Sequence, residues 1–238
     1  MFCATTGSNT LPPLILIHGA PGAWYGSRMM LDDTMLQHRF HIIAVDRLGY
    51  GKSRYRGKRK VVNDIDIQAA AIGEVLRLNR SGKTGTIVGS SYGCAIGANL
   101  ALQHPGAFNH LVMLAPAIDP EQEKFWWFHE YLHSGLLIQL MPHYIRNATA
   151  EKFGHIEQLE AMSKRWSKLT LDITVMQGGA DNIIQPGNLL YAMEIFRNKN
   201  ADFVYLPNAG HLIRREYPDT VRHYILQGLS TVKVTPKE

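Results

Sequence analysis

One serine in this sequence stands in a turn whose residue types suit nucleophilic chemistry. Ser91 is the centre of Gly89-Ser90-Ser91-Tyr92-Gly93, which follows the apolar run Thr84–Gly89 and precedes a helix of small residues. A hydroxyl projects above the edge of a sheet only if the chain reverses sharply, and glycines two residues to either side leave room for that reversal. Ser90 lacks those glycines. We predict that Ser91 is a nucleophile. The alternative is that the turn is a plain strand-to-helix connection.

A serine nucleophile needs a base and an acid that orients the base. Two candidates lie in loops just after apolar runs: Asp181 in Gly178-Gly179-Ala180-Asp181-Asn182, and His211 after Pro207-Asn208-Ala209-Gly210. Open α/β sheets place their sites at this end of their strands. We predict Asp181 as the acid and His211 as the base. Asp119, which follows an earlier run, is the competing acid.

An oxyanion formed by acyl transfer needs two backbone N–H groups. Tyr92, directly after the nucleophile, is the first predicted donor. The second is expected in His18-Gly19-Ala20-Pro21-Gly22, the loop after the first apolar run. Ala20 is the predicted donor there, because Pro21 has no N–H. We interpret His18 as a brace for this loop, with proton transfer as the alternative.

Strand-like apolar runs alternate with helical patterns along the chain. Continuous Val, Ile and Leu runs without polar alternation are typical of strands buried on both faces of a parallel sheet. The pattern therefore predicts an α/β fold with a mostly parallel sheet of about six strands and helices on both faces. The predicted strands are Leu14–His18, His41–Val45, Thr84–Gly89, His110–Leu114, Asp172–Gln177 and Asp202–Leu206, and the predicted helices are Asp64–Leu78, Tyr92–Gln103, Asn188–Arg197 and Asp219–Leu229.

The alternation breaks once, at residues 120–169. A structureless loop of that length is uncommon in a compact domain, and helix formers and aromatic residues are frequent in it, over Leu136–Met141 and Glu151–Lys168 in particular. We predict a small helical cap at 120–169, inserted in a core domain of residues 1–119 and 170–238. As a hypothesis, the cap contacts substrate through Trp126, Trp127, Leu137 and Met141. Their alternative role is to anchor the cap to the sheet.

Composition excludes several classes of protein. The chain of 238 residues has no apolar run of the roughly 18 residues that span a membrane. Its net charge of +5 is concentrated in Arg47 to Lys60. We interpret that segment as a solvated loop, with a patch for anions as the alternative; without a recognition motif, nucleic acid is not an expected partner. No metal or organic cofactor is expected, because no cluster has ligand spacing.

Only two cysteines occur, Cys3 and Cys94. We expect Cys3 in a loose terminus and no disulfide, which favours a cytoplasmic protein. A cysteine followed by small polar residues is also how a mature lipoprotein begins, so a truncated or exported form is the alternative. The sequence does not encode the oligomeric state in any pattern that we recognise.

Five segments together resemble the α/β-hydrolase superfamily over residues 11 to 230. They are the H-G-x-P loop at His18–Gly22, the D-x-x-G-x-G-x-S loop at Asp46–Ser53, the nucleophile elbow at Gly89–Gly93, the acid loop at Gly178–Asp181 and the histidine loop at Gly210-His211. Family members with an aspartate nucleophile, dehalogenases and epoxide hydrolases, do not match Ser91. The family usually has two more strands before the first one predicted here, so we expect a sheet that is short at one edge.

The resemblance implies a serine hydrolase of the esterase-like branch, acting through an acyl-enzyme on a small, partly apolar ester or related acyl substrate. One alternative is an amidase or prolyl-aminopeptidase-like enzyme, in which acidic cap residues such as Glu121, Glu123 or Glu130 hold a substrate ammonium. The other is a ligand-binding receptor with low turnover on the same fold.

Overall fold

The computed structural model describes residues 1–53, 61–125 and 136–231. Seven strands in this part of the chain form one sheet, in the order β1-β3-β2-β4-β5-β6-β7. β1 is antiparallel to β3, and all the other neighbours are parallel. The strands are β1 Cys3–Thr6, β2 Pro13–Ile17, β3 His41–Val45, β4 Gly85–Ser90, β5 Phe108–Leu114, β6 Asp172–Gly178 and β7 Ala201–Leu206.

The central strands are buried on both faces. Successive residues of β2 belong to two different apolar clusters: Ile15 and Ile17 to one, Leu14 and Leu16 to the other. Neighbouring side chains of a strand point to opposite faces. Continuous apolar runs are therefore required here, and the mostly parallel α/β sheet predicted from those runs is confirmed.

Helices cover both faces of the sheet. Those on one face contribute to the cluster around Ile15, and those on the other contribute to the cluster around Leu14. The α-helices are α1 Arg28–Leu31, α2 Thr34–Gln37, α3 Ile65–Gly73, α4 Gly93–Gln103, α5 Leu136–Leu140, α6 His143–Ser163, α7 Gly187–Ile195, α8 Ile213–Glu216 and α9 Pro218–Gln227. Short 3₁₀ turns are Trp24–Ser27, Glu74–Leu78, Pro120–Gln122, Trp166–Lys168 and Gly228–Thr231.

The first strand corrects two expectations. The sheet has one strand more than the six predicted, and Cys3 lies in it rather than in a loose terminus. Cys3 pairs with Val45 and Thr6 with Ile42. The sequence Cys-Ala-Thr-Thr gave no strand signal, because an edge strand that is only partly buried needs no apolar run.

Two helices of the described chain, α5 and α6, lie between β5 and β6, where the sequence predicts a cap. α6 begins at His143, eight residues before the stretch of helix formers Glu151–Lys168, and ends at Ser163, five residues before that stretch ends. Pro142 immediately precedes its first turn, a position that proline tolerates because the first N–H groups of a helix have no partner. The buried residues of α6 include Asn147, Glu151, His155 and Leu159, four residues apart, so they share one face.

Candidate active site

Ser91 occupies the turn between β4 and α4 with a backbone φ of 53°. This left-handed conformation is uncommon outside glycine and costs free energy that the surroundings must offset. The Ser91 amide donates to the carbonyl of Leu114 at 2.9 Å, and the Ser91 carbonyl accepts from the Cys94 amide at 2.9 Å. These bonds hold the turn to the neighbouring strand β5 and to the start of α4.

The two flanking glycines permit the close approach that this turn requires. A Cβ at Gly89 would lie 2.7 Å from the Cα of Cys94, and one at Gly93 would lie 2.6 Å from the carbonyl oxygen of Ile17. Backbone atoms occupy both positions and cannot move aside. The spacing of the G-x-S-x-G segment therefore has a steric cause in this fold.

Asp181 and His211 meet beyond the carboxyl ends of β6 and β7. His211 Nδ1 donates to Asp181 Oδ2 at 2.9 Å, while Asp181 Oδ1 accepts from the amides of Ile183 and Ile184 at 2.8 and 2.9 Å. Burial acts to raise the pKa of Asp181, but the hydrogen bonds from His211 and these amides outweigh it and lower the pKa below its usual value. The carboxylate is thus kept ionised and fixes the orientation of the imidazole ring.

Asp119, the competing acid, has other contacts. Its Oδ1 accepts from the amide of Glu121 at 2.9 Å and starts the 3₁₀ turn that follows β5, and its own amide donates to Asn188 Oδ1. Burial and the nearby carboxylates of Glu121 and Glu194 raise its pKa. The structure brings Asp181, and not Asp119, within hydrogen-bond distance of His211.

The loop after β2 is held by its carbonyl groups. The carbonyl oxygen of Gly19 accepts from His18 Nδ1 at 2.7 Å and from Arg47 Nη2 at 2.9 Å. The Gly19–Ala20 peptide is trans, so its N–H points opposite to its carbonyl. The amide of Ala20 therefore points away from Arg47. A Cβ on Gly19 would lie 3.0 Å from the Cβ of Ser91, so this loop and the nucleophile turn are in close contact.

Both ring nitrogens of His18 are engaged. Nδ1 donates to Gly19, and Nε2 accepts from the Arg47 amide at 3.1 Å. Burial, followed by the charge of Arg47, lowers the pKa of His18 well below its usual value. A neutral ring with a hydrogen bond at each nitrogen braces the loop, which agrees with the interpretation from the sequence.

Arg47 corrects the interpretation of Arg47 to Lys60 as a solvated segment. Its side chain is fully buried and forms a bidentate ion pair with the equally buried Glu151 of α6, at 2.6 and 3.1 Å. Tyr50 Oη also donates to Glu151, at 2.6 Å, and the guanidinium lies over the rings of Tyr50 and Tyr92. The next basic residue, Lys52, is exposed, and residues 54–60 lie outside the described part of the chain.

A cavity of about 350 Å³ opens beside Ser91. Residues of the loop after β2, of the turn at Ser91, of the segment between β5 and β6 and of the loop after Asp181 line it: Ala20, Pro21, Ser91, Tyr92, Ala117, Glu123, Lys124, Ile145, Ala148, Thr149, Lys152, His155, Ile183 and Ile184. Of the four predicted substrate contacts, Met141 follows α5 and does not line this cavity. Leu137 lies in α5, and Trp126 and Trp127 lie outside the described residues.

Sequence reasoning missed the polar side chains that α6 contributes. His155 Nδ1 donates to Glu123 Oε1 at 2.8 Å, Lys152 forms an ion pair with Glu123 Oε2, and the His155 ring packs on Tyr92 with centroids 4.5 Å apart. The recurrence of polar residues every four positions from Asn147 to His155 was the available signal. Nothing in the sequence paired that stripe with Arg47, which is 104 residues from Glu151.

Within residues 1–53, 61–125 and 136–231, no group of three or more His, Cys, Asp or Glu could hold a metal ion. No helix in the same ranges is both long and apolar enough to cross a membrane. Both cysteines, Cys3 and Cys94, are free.

Comparison with known proteins places this chain in a family. The sequence model of the alpha/beta hydrolase fold family matches residues 12–140, which is more than half of the chain. The chain belongs to the α/β-hydrolase family.

Individual relatives are distant. The chain is similar to human (Homo sapiens) monoglyceride lipase, at 23% identity over 253 residues that cover 92% of this chain and 82% of that protein. It is also similar to 2-hydroxymuconate semialdehyde hydrolase of Pseudomonas sp. (strain CF600), at 30% identity over 109 residues, 44% of this chain and 36% of the relative. Two curated relatives with at least 30% identity are matched over only 25% and 36% of their own length.

Among solved structures, 2-hydroxy-6-oxo-6-phenylhexa-2,4-dienoate hydrolase from Rhodococcus sp. strain RHA1 superposes with a TM-score of 0.72 at 21% identity, covering 96% of this chain and 94% of that one. At this identity the likeness concerns the fold.

Proposed function

We propose that this protein is a serine hydrolase that cleaves a carboxylic ester, or a related acyl bond, of a small and partly apolar substrate. Ser91 is the nucleophile, His211 the base and Asp181 the orienting acid. The observation that carries the proposal is the 2.9 Å hydrogen bond between His211 Nδ1 and Asp181 Oδ2, because it leaves Nε2 as the free basic nitrogen of the ring.

The proposed reaction has two steps. His211 Nε2 takes the proton of Ser91 Oγ while Oγ attacks the substrate carbonyl; the tetrahedral intermediate then collapses, and the alcohol leaves with the proton from His211. His211 next removes a proton from water, which attacks the acyl-enzyme, and the carboxylic acid is released as Ser91 regains its proton. No step requires a metal or an organic cofactor.

Two amides are assigned to the oxyanion. Tyr92 stands at the N-terminus of α4, where the first N–H groups lack partners within the helix and the helix dipole favours negative charge. Ala20 supplies the second N–H, and the bonds that turn the Gly19 carbonyl toward His18 and Arg47 support this assignment. Fixed donors of this kind stabilise the transition state without reorganising.

An aminopeptidase-like activity is the less favoured alternative. It requires a carboxylate that is free to hold a substrate ammonium, and Glu123 is the acidic residue that lines the described cavity. Its two oxygens already pair with His155 and Lys152. Glu121 is exposed and does not line the cavity, and Glu130 lies outside the described residues. The name of the monoglyceride lipase relative also favours an ester substrate.

Paired serine variants test the proposal. Ser90 and Ser91 are adjacent and equally buried, with 9% of each exposed, so Ser90→Ala is a matched control for Ser91→Ala. We expect S91A to abolish labelling by a fluorophosphonate and hydrolysis of p-nitrophenyl butyrate, and we expect S90A to retain both. Assaying an aminoacyl p-nitroanilide in parallel separates esterase from aminopeptidase.

Labelling that survives in S91A would overturn the assignment of the nucleophile. Wild-type protein that resists labelling while it binds ligands would instead support the receptor alternative.

A further inference from the structure

Three ionic side chains and one histidine occupy one part of a largely apolar cavity. They are Glu123 and Lys124, which follow the 3₁₀ turn after β5, and Lys152 and His155 from α6. Most of the remaining lining is apolar: Ala20, Pro21, Ala117, Ile145, Ala148, Ile183 and Ile184. Ligand sites commonly combine apolar walls with a few polar groups that fix orientation. The position of this charged group therefore bears on which substrates fit.

The charges within the group do not cancel. Glu123 carries one negative charge, against one positive charge each on Lys124 and Lys152. The carboxylate is fully used, because Oε1 accepts from His155 and Oε2 pairs with Lys152. Burial acts to raise the pKa of Glu123, but His155 and Lys152 outweigh it and lower that pKa to about 2. Lys124 is exposed and forms no ion pair with any described residue. The group thus has an excess positive charge.

His155 connects this group to the reaction centre. Its side chain is 2% exposed, its ring packs on the Tyr92 ring, and Tyr92 directly follows Ser91. Its Nε2 has no hydrogen-bond partner among the described residues. Ser91 and the two lysines therefore line the same cavity, with the packed rings of Tyr92 and His155 also in its wall.

We propose that the favoured substrate is an ester whose short acyl chain ends in a carboxylate, with Lys152 and Lys124 attracting that carboxylate. This inference rests on the proposed function and names its substrate class. The apolar wall holds the methylene groups, and the positive excess offsets the cost of removing the distal carboxylate from water. A substrate ammonium is disfavoured at the same place.

Two esters of nearly equal shape test this preference. Mono-p-nitrophenyl glutarate carries the distal carboxylate, and p-nitrophenyl 5-methylhexanoate replaces it with an isopropyl group. We expect wild-type protein to give a higher kcat/KM for the glutarate. Because exposed charges are screened by salt, we expect the ratio of the two kcat/KM values to fall as sodium chloride is added.

Substitutions of opposite sign separate charge from structure. Lys152→Gln and Glu123→Gln both break the same ion pair, so a merely structural effect would shift the ratio in the same direction in both variants. We expect K152Q to lower the ratio roughly five- to tenfold and E123Q to raise it. Lys124→Gln, which breaks no described ion pair, should also lower it. Lys164→Gln is the matched control, because Lys164 follows α6 but does not line the cavity.

A preference for the isopropyl ester in wild type, or a ratio that K124Q and K152Q leave unchanged, would overturn the inference. Failure of the proposed function is distinguishable, because then neither ester would be cleaved in a way that depends on Ser91. Calorimetric binding of monomethyl glutarate to the S91A variant gives a readout without turnover. We expect K152Q in that background to weaken binding and E123Q to strengthen it, and the absence of binding would count against the inference.

Discussion

At the scale of single residues, the candidate site depends on how Asp181 holds His211. The carboxylate accepts three hydrogen bonds, two from backbone amides and one from the imidazole. The amides fix the position of Oδ1, so Oδ2 has little freedom except to accept from Nδ1. This arrangement selects the tautomer with hydrogen on Nδ1, which is the form that can act as a base through Nε2.

Replacing this acid with its amide tests the tautomer argument. We expect Asp181→Asn to lower kcat on p-nitrophenyl butyrate by about 10⁴-fold, because an amide nitrogen in place of Oδ2 favours hydrogen on Nε2. Asp119→Asn is the control: it weakens only the start of a 3₁₀ turn, and its kcat should stay close to that of wild type. Equal losses in both variants would show that Asp181 has no special part in catalysis.

The residues of the proposed triad and oxyanion hole could be predicted because each follows a strand and lies in a local motif. The buried residues that hold these loops in place could not be predicted. The sequence does not distinguish the buried Arg47 from the nearby exposed Lys52. Basic residues are mostly exposed in proteins, so exposure is the default expectation for both. The counter-charge of the buried Arg47 is Glu151, and no local pattern links positions 104 residues apart.

At the scale of elements, α6 joins the predicted cap to the loop after β2, which carries the proposed oxyanion donor Ala20. Glu151 accepts from Arg47 and Tyr50, and Arg47 in turn donates to the carbonyls of His18 and Gly19. One face of α6 is therefore connected through a single guanidinium to the peptide that carries the Ala20 amide. Arg47 and Glu151 are positioning residues, since neither lines the cavity.

Loss of the Glu151 charge should affect both stability and transition-state binding. We expect Glu151→Gln to lower the free energy of unfolding by about 3–5 kcal/mol, because the buried guanidinium loses its counter-charge. We also expect kcat to fall roughly tenfold to hundredfold, with a matching loss of affinity for an alkylboronic acid that mimics the tetrahedral intermediate, and KM to change little. Urea unfolding and boronate inhibition measure the two effects.

A double variant separates these effects. Arg47→Met with Glu151→Met replaces the ion pair by apolar side chains, which often restores stability. We expect it to recover much of the unfolding free energy but not the boronate affinity, because Arg47→Met removes the guanidinium that donates to the Gly19 carbonyl. The control is Arg165→Gln, which breaks the partly exposed contact of Arg165 with Asp66. If R165Q changed boronate affinity as much, any loosening of the cap would explain the result.

The elements themselves were predicted to different degrees. Buried strands were found because a strand covered on both faces must be continuously apolar, as Leu14 to Ile17 are. β1 was missed because its composition does not indicate a strand. Its backbone pairing with β3 stabilises the strand instead. The first two turns of α6 were missed because residues with low helix propensity, such as Tyr144, Asn147 and Thr149, are frequent in them; contacts with the core, such as that of Asn147 with the Val62 amide, stabilise this part instead.

At the scale of the whole molecule, the turn at Ser91 follows the carboxyl end of β4, the central strand of the described sheet. Cys94, the second residue of α4, has no exposed surface, whereas Cys3 in the edge strand is partly exposed. Burial raises the pKa of both thiols, and Cys94 is the more deeply buried of the two. The reactivity of Cys94 therefore reports on the start of α4, and the reactivity of Cys3 reports on the edge strand β1.

Thiol labelling measures how cooperatively the centre opens. In Cys3→Ser, we expect Cys94 to resist Ellman's reagent in native conditions and to react only as urea unfolds the protein, with a midpoint equal to that of circular dichroism. Cys94→Ser, which keeps Cys3, should react without denaturant. Rapid labelling of Cys94 in folded C3S would indicate that the turn opens locally, without global unfolding.

The buried pair of Arg47 and Glu151 also restricts how this protein can be recombined. Exchanging the segment that carries α5 and α6 for one without an acidic residue at the position of Glu151 would leave a guanidinium enclosed without a carboxylate. A chimera should therefore fold only if the donor helix supplies an acidic residue at the position of Glu151, or if Arg47 is exchanged with it. In an engineered chimera, the cap segment and Arg47 of the core should therefore be exchanged together.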